Sequence, residues 1–208
     1  SPIVRSGEIR LRPMPADRPD VVAIGSSTGG PQALFRLLKS FVTMKQPVLI
    51  TQHMPATFTT ILAEHIVRLT GLAAAEAVDG EPVVASRVYI APGDYHMIVE
   101  AQGGNDRRLR LSKGPQENFC RPSVDPMLRS LARVYGKRVL CAILTGMGSD
   151  GLKGGQVLVD AGAAVVAQDE KTSIVWGMPG AVATAGLCSA VLPIDELGPF
   201  IMRTAGRA

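Results

Sequence analysis

The chain has 208 residues, of which 46% are hydrophobic and 19% charged, and this composition favours one globular α/β domain over a disordered or fibrous protein. Its formal net charge of +4 is not gathered into a basic stripe with interleaved aromatic residues, so nucleic-acid binding is not favoured. The three cysteines lack metal-ligand spacing, no apolar run reaches the ~18 residues of a membrane span, and no signal-peptide pattern is present, which together predict a soluble cytoplasmic protein with reduced thiols.

Residues 1–19 contain four prolines and scattered arginines but little apolar periodicity. A polar, proline-punctuated segment before a compact domain often connects it to another part of the protein. We therefore expect residues 1–19 to be an interdomain linker or a flexible N-terminal segment, and residues 20–205 to form the domain.

The stretch from Val21 to Pro31, VVAIGSSTGGP, predicts a strand, a tight turn and the start of a helix. Gly25, Ser27 and Gly29 match the G-x-S-x-G spacing that raises a serine hydroxyl onto a sharp turn between strand and helix. Two other interpretations stay open on this stretch alone. The glycine-rich turn could hold a phosphate, although it matches neither G-x-G-x-x-G nor a Walker A loop. Ser26 and Ser27 could also simply cap the helix.

The rest of the chain alternates between apolar runs and helical patterns, with His65 on an apolar helix face where a core or boundary histidine is expected. Asp125 is predicted to be the N-cap of a helix that has Pro126 at its first position. The further predicted elements are strands at Pro47 to Gln52, Arg87 to Ala91, Val139 to Thr145 and Ala163 to Ala167, a hairpin at Met97 to Ala101 and Leu109 to Leu111, and a helix from about Leu152 to Asp160. The fold class is therefore α/β, a doubly wound, mostly parallel sheet with helices on both faces and one appended antiparallel hairpin.

Three residues with the chemistry of a serine hydrolase follow predicted strands: Ser27, His53 and Asp150. Ligands of open parallel sheets bind beyond the carboxyl ends of the strands, where these side chains would meet. The histidine would accept the hydroxyl proton and the carboxylate would orient the imidazole. Alternatively, His53 is an ordinary loop residue, Asp150 is an N-cap, or His96 is the base. The order Ser, His, Asp differs from that of the α/β-hydrolases, so a different doubly wound sheet is expected.

Several motifs together resemble the motif series of the CheB-type chemotaxis protein-glutamate methylesterases. They fall in the family's order between about residue 20 and residue 195. The motifs are Ile24 to Gly30 (IGSSTGG), Gln52 to Pro55 (QHMP), Ala91 to His96 (APGDYH), Arg121 to Asp125 (RPSVD), Leu144 to Gly151 (LTGMGSDG), Gln168 to Glu170 (QDE) and Gly177 to Pro179 (GMP).

The resemblance implies a catalytic domain that hydrolyses glutamate methyl esters on the cytoplasmic helical bundle of bacterial chemoreceptors, releases methanol, and also deamidates certain receptor glutamines. Ser27 matches the family's nucleophile, His53 its general base and Asp150 its orienting carboxylate. Met147 matches a position credited with part of the oxyanion hole, and Thr28 lies beside the nucleophile near the same site. No metal or cofactor is implied.

The resemblance also implies partners. Family members usually carry a regulatory receiver domain upstream, and no part of these 208 residues matches it. Arg121, near the expected site, is a candidate for binding an acidic neighbour of the substrate. A nucleotide- or phosphate-binding Rossmann-like module without catalysis is the alternative function.

Overall fold

A computed structural model describes residues 9–207 of the chain. Nine strands and six helices follow one another in these bounds: β1 (Val21–Ser26), α1 (Gly30–Leu38), β2 (Val48–Gln52), α2 (Phe58–Thr70), β3 (Ala74–Glu76), β4 (Val88–Ile90), β5 (His96–Gly103), β6 (Asp106–Ser112), α3 (Val124–Tyr135), β7 (Val139–Ile143), α4 (Leu152–Asp160), β8 (Ala164–Gln168), α5 (Met178–Thr184), β9 (Cys188–Leu192) and α6 (Ile194–Ala205).

Seven strands form one sheet in the order β3-β4-β2-β1-β7-β8-β9, and every pair in it is parallel. The central strand β1 is buried on both faces. Val21 and Ala23 pack in one apolar cluster with α3, α4 and α5, whereas Val22 and Ile24 pack in a second cluster with α1, α2 and α6. The predicted fold class, a doubly wound parallel sheet with an appended hairpin, is confirmed.

The antiparallel hairpin is a separate two-stranded sheet made of β5 and β6. It packs its apolar side chains, Val99 and Leu109 among them, against α3. The amide of Val99 also donates a hydrogen bond to the hydroxyl of Ser130 on α3, at 3.0 Å. The hairpin thus extends the core on the face covered by α3. Within residues 9–207, no helix is both long enough and apolar enough to cross a membrane.

The N-terminal segment was expected to be a linker, and residues 1–8 of it lie outside the described part. In the described part, the amide of Arg12 donates to the carbonyl of Cys188 on β9 at 2.8 Å, and Asp17 forms an ion pair with Lys137 at 2.9 Å. Met14 packs against the apolar cluster of α1, α2 and α6. Residues 9–19 therefore lie against the domain, and the linker role stays a prediction.

One helix cap differs from the prediction. Helix α3 begins at Val124, with Ser123 as its N-cap, so Asp125 is inside the first turn and not at the cap. The carboxylate of Asp125 instead accepts hydrogen bonds from the amides of Gly151 and Gly154 at the start of α4, at 3.0 and 2.8 Å. The prediction of an N-cap was wrong because the preference of aspartate for helix starts does not say which helix it serves.

Candidate active site

The site lies at the carboxyl edge of the sheet, where β1, β2 and β7 are neighbours. Ser27 is the first residue after β1, and its amide donates to the carbonyl of Thr145 beyond β7 at 3.0 Å. His53 is the first residue after β2, and its amide donates to the carbonyl of Ser26 at 3.1 Å. Parallel pairing of adjacent strands therefore places the predicted nucleophile, the predicted base and the loop that carries Asp150 side by side.

The two neighbouring serines occupy different environments. Ser26 is fully buried, and its hydroxyl donates to Oε1 of Gln52 at 2.5 Å. The amide nitrogen of Gln52 in turn donates to the carbonyl of Ser27 at 2.8 Å. Ser27 is partly exposed and lies two residues before Gly29, the left-handed N-cap residue of α1. Ser26 thus links β1 to β2, and the Ser27 side chain faces solvent at the start of a helix.

His53 and Asp150 form a close pair. Nε2 of His53 lies 2.6 Å from Oδ2 of Asp150, and the two side chains are 13% and 1% exposed. A carboxylate only accepts hydrogen bonds, so in the neutral imidazole Nε2 carries the proton and Nδ1 is left as the acceptor. Nδ1 lies 3.5 Å from the Cys120 sulfur. Within residues 9–207, no hydrogen bond joins the Ser27 hydroxyl to His53. Such contacts are often long in the absence of substrate.

The Asp150 carboxylate is held at the N-terminus of α3. It accepts the amides of Val124 at 2.7 Å and Asp125 at 3.0 Å, and Nδ2 of Asn118 at 2.9 Å. Burial disfavours the charged form, but the hydrogen bonds from His53 and the α3 amides outweigh it, and the pKa of Asp150 lies below its ordinary value. The alternative of Asp150 as N-cap of α4 does not hold, since Gly151 occupies that position. Asp150 is therefore a charged group aimed at the imidazole.

Among the amides near Ser27, those of Thr28 and Met147 have no hydrogen-bond partner within residues 9–207. The loop containing Met147 reaches Ser27 because residue 146 is glycine. A Cβ at Gly146 would lie 2.8 Å from the Cβ of Ser27 and would also collide with the sulfur of Met178. The close approach brings the loop that carries the Met147 amide against Ser27, whose chain neighbour Thr28 carries the other amide. This arrangement is compatible with an oxyanion hole.

The two remaining candidates are occupied by structural contacts. His96 is 3% exposed; its Nδ1 accepts the amide of Ser123 at 3.1 Å and its Nε2 donates to the carbonyl of Pro115 at 2.8 Å, so neither nitrogen is available as a base. Arg121 pairs with Asp94 at 2.6 Å and donates to two backbone carbonyls. Its role in substrate binding stays a prediction.

Sequence reasoning missed two residues that contact the pair, Asn118 and Cys120, and it missed the Asp125 carboxylate, which binds Asn118. Asn118 donates to both aspartates, and burial raises the pKa of Asp125 above its ordinary value. Burial and the charge of Asp150 also raise the pKa of the Cys120 thiol. The one sequence feature that could have indicated these residues is the group of polar residues just before α3. Within residues 9–207 no cluster of histidine, cysteine and carboxylate side chains is arranged to hold a metal.

Known proteins are similar to this chain over the residues that form the site. The family model described as CheB methylesterase matches residues 22–201. A protein-glutamate methylesterase/protein-glutamine glutaminase of Paramagnetospirillum magneticum is 63% identical over 99% of this chain and 54% of its own length, and one of Rhodospirillum centenum is 62% identical over 97% and 51%. The chain thus spans about half the length of the curated relatives it matches.

A solved structure has the same fold. The crystal structure of the Thermotoga maritima CheB methylesterase catalytic domain superposes with a TM-score of 0.86 at 38% sequence identity. The match covers 90% of this chain and 99% of that one.

Proposed function

Because the chain belongs to the CheB methylesterase family, we propose that it is a serine hydrolase that removes methyl groups from glutamate methyl esters on bacterial chemoreceptors. The observation that carries the proposal is the partly buried His53–Asp150 pair on the strand end that adjoins Ser27, which lies on a strand-to-helix turn. The names of the relatives pair esterase with glutaminase activity, so deamidation of receptor glutamines is proposed for the same site.

The proposed acylation step uses Ser27 as nucleophile. Its oxygen attacks the ester carbonyl while Nδ1 of His53, the nitrogen not bound to Asp150, accepts the hydroxyl proton. That nitrogen lies 3.5 Å from the Cys120 sulfur, and the proposed step requires the Ser27 hydroxyl to approach it. Collapse of the tetrahedral intermediate breaks the bond to the methoxy oxygen, which leaves as methanol with the proton from His53.

Deacylation follows the same path in reverse, with water as the nucleophile. His53 takes one proton from water, the hydroxide adds to the glutamyl ester of Ser27, and the proton returns to the serine oxygen as glutamate is released. With a glutamine substrate, the leaving group of the first step is ammonia instead of methanol. The charge of Asp150 stabilises the imidazolium that forms in both steps.

The free amides of Thr28 and Met147 are proposed to bind the oxyanion. One such donor typically contributes ~3 kcal/mol to stabilising the transition state. The N-terminus of α1, shortly after Ser27, adds a favourable field for the developing negative charge. Backbone donors that are fixed before the substrate arrives require little reorganisation during the reaction.

The proposed macromolecular substrate is the cytoplasmic helical bundle of a methyl-accepting chemoreceptor, which makes the cytoplasm the proposed location. Phe119 and Met147, each next to a residue of the site, are 97% and 66% exposed and offer apolar contact to such a bundle. Because the chain spans about half of its relatives, an upstream receiver domain that regulates access to the site is part of the proposal.

Methanol release from a methylated receptor fragment tests this function. Ser27→Ala should abolish release, whereas Ser189→Ala, on the edge strand β9, should retain it. A serine-directed phosphonate should label the parent protein and Ser189→Ala but not Ser27→Ala. Saturable nucleotide binding together with no phosphonate labelling would instead favour the phosphate-binding module and refute the proposal.

A further inference from the structure

A two-residue turn carries Asn118 into the site. Glu117 and Cys120 exchange both backbone hydrogen bonds, at 3.1 and 2.9 Å, and enclose Asn118 and Phe119. Both central residues have positive φ, 54° and 61°, as a type I′ turn requires. Asparagine tolerates this conformation, but phenylalanine does so only at a cost in backbone strain. The turn is thus held in its shape by contacts elsewhere.

The turn is joined to α3 by an ion pair. The guanidinium of Arg129 donates to both carboxylate oxygens of Glu117, at 2.8 and 2.7 Å. This two-point contact lowers the pKa of Glu117 and keeps it charged. Since α3 also supplies two amides to Asp150, the turn and the carboxylate are both anchored to the same helix.

The amide of Asn118 lies between two buried carboxylates. Its Nδ2 is 2.9 Å from Oδ1 of Asp150 and 2.9 Å from Oδ2 of Asp125, and both aspartates are 1% exposed. An amide nitrogen has two hydrogens, one for each carboxylate, and the Ser123 hydroxyl lies farther from Nδ2, at 3.2 Å. Oδ1 of Asp150 is thereby occupied by Asn118 and the amide of Asp125, and Oδ2 is turned toward His53.

We propose that Asn118 is a positioning residue for the His53–Asp150 pair, acting through the rotamer of Asp150. This inference rests on the proposed function only in that the pair is taken to be catalytic. Without the Asn118 amide, two buried carboxylates face each other unbridged, and Asp150 keeps only its two α3 amides to hold Oδ2 toward the imidazole. A role confined to forming the turn would need only the backbone conformation, and this difference can be tested.

Two substitutions separate the amide from the turn. Asn118→Gly removes the amide and favours positive φ, and Asn118→Asp keeps the shape of the side chain but replaces the donors by acceptors. Asn105→Ala, in the exposed turn of the β5–β6 hairpin, is the matched control. Thermal unfolding of all three variants establishes that they fold.

The first measurement is the proton resonance of His53 Nε2–H, observed by NMR without substrate. Its downfield shift reports the hydrogen bond to Asp150. We expect the resonance to move upfield or broaden in Asn118→Gly and Asn118→Asp and to stay unchanged in Asn105→Ala. An unchanged resonance in both Asn118 variants would overturn the proposal.

The second measurement is the rate of methanol release. We expect kcat to fall about 10-fold in Asn118→Gly with KM within about 2-fold of the parent, because the lost contact acts on the transition state. Unchanged kcat in a folded Asn118→Gly would mean that Asn118 only forms the turn. Absence of methanol release from the parent protein would instead refute the proposed function, while the resonance would still decide the role of Asn118.

Discussion

Replacing Asp150 by alanine should destabilise the fold as well as impair the reaction. The carboxylate is 1% exposed and accepts four hydrogen bonds, from His53, Asn118, and the amides of Val124 and Asp125. His53 can turn to solvent when its partner is lost. The other three donors are buried or partly buried, and leaving a buried donor unpaired costs about 1–3 kcal/mol.

The net loss is smaller than the sum of these costs. Desolvation of the charge no longer opposes folding in the variant, and a water molecule can enter the space and bind some of the donors. We therefore expect the free energy of unfolding to fall by about 3 kcal/mol at pH 7. Asp160→Ala, at the exposed end of α4, should change it by less than about 0.5 kcal/mol.

The stability lost in Asp150→Ala should depend on pH, in a direction set by the pKa of Asp150. The pKa of Asp150 is lowered in the folded protein, so its ionisation stabilises the fold above the unfolded value of about 3.9 and this stabilisation is lost as the pH falls through the folded pKa. Urea unfolding at pH 7 and at pH 3 should show a smaller difference between parent and Asp150→Ala at pH 3. A difference below about 0.5 kcal/mol at pH 7 would refute the argument for Asp150 as a structural cap.

Four further outcomes are expected. Ser27→Ala should lose all methanol release while unfolding within about 0.5 kcal/mol of the parent, because its hydroxyl has no hydrogen-bond partner within residues 9–207. His53→Ala should be inactive; activity equal to that of the parent would contradict its role as base. Phe119→Gly should raise the free energy of unfolding by about 1 kcal/mol in thermal or urea unfolding, since it relieves positive φ at an exposed side chain. Gly146→Ala should lower kcat more than about 10-fold and destabilise by about 1–3 kcal/mol, because its Cβ would push against Ser27; unchanged kcat would show that the loop does not touch the nucleophile.

The central sheet was predictable because its strands are buried on both faces. The runs that contain β1, β2, β7 and β8 are almost continuously apolar, and short runs of this kind are typical of parallel strands covered by helices on both sides. The predicted strand at Val139 to Thr145 ends at Ile143 in the structure, and beyond it the carbonyl of Thr145 pairs with the amide of Ser27. His65 lies half-buried against the ring of Phe35, as a boundary histidine should.

The edge strands and the last two helices were not predicted. Strand β3 has three residues, none of them fully buried, and β9 mixes serine with apolar residues, so neither shows a strong pattern. Helix α5 is short and contains glycine and proline, and α6 contains Pro199. In each of these elements, contacts with the rest of the fold outweigh a weak local preference of the sequence for helix or strand.

The partners of Asp150 and Asp125 could not be predicted either. Each aspartate binds amides at the start of the helix that begins beside the other, an exchange between segments about 25 residues apart. Local sequence patterns indicate where a helix starts, but not which carboxylate binds the free amides of its first turn. Asn118 was missed for the same reason, since it binds Asp150, a residue 32 positions away in the chain.

The exchange of caps between α3 and α4 also affects how related sequences should be interpreted. Asp150 joins two helices to each other and would be retained by a descendant that had abandoned hydrolysis, because losing it would cost stability. The Ser27 side chain has no comparable role in stabilising the fold. A chain with this fold that keeps the aspartate but has lost the serine should therefore be expected to fold and bind without reacting, and the serine is the better marker of an active enzyme.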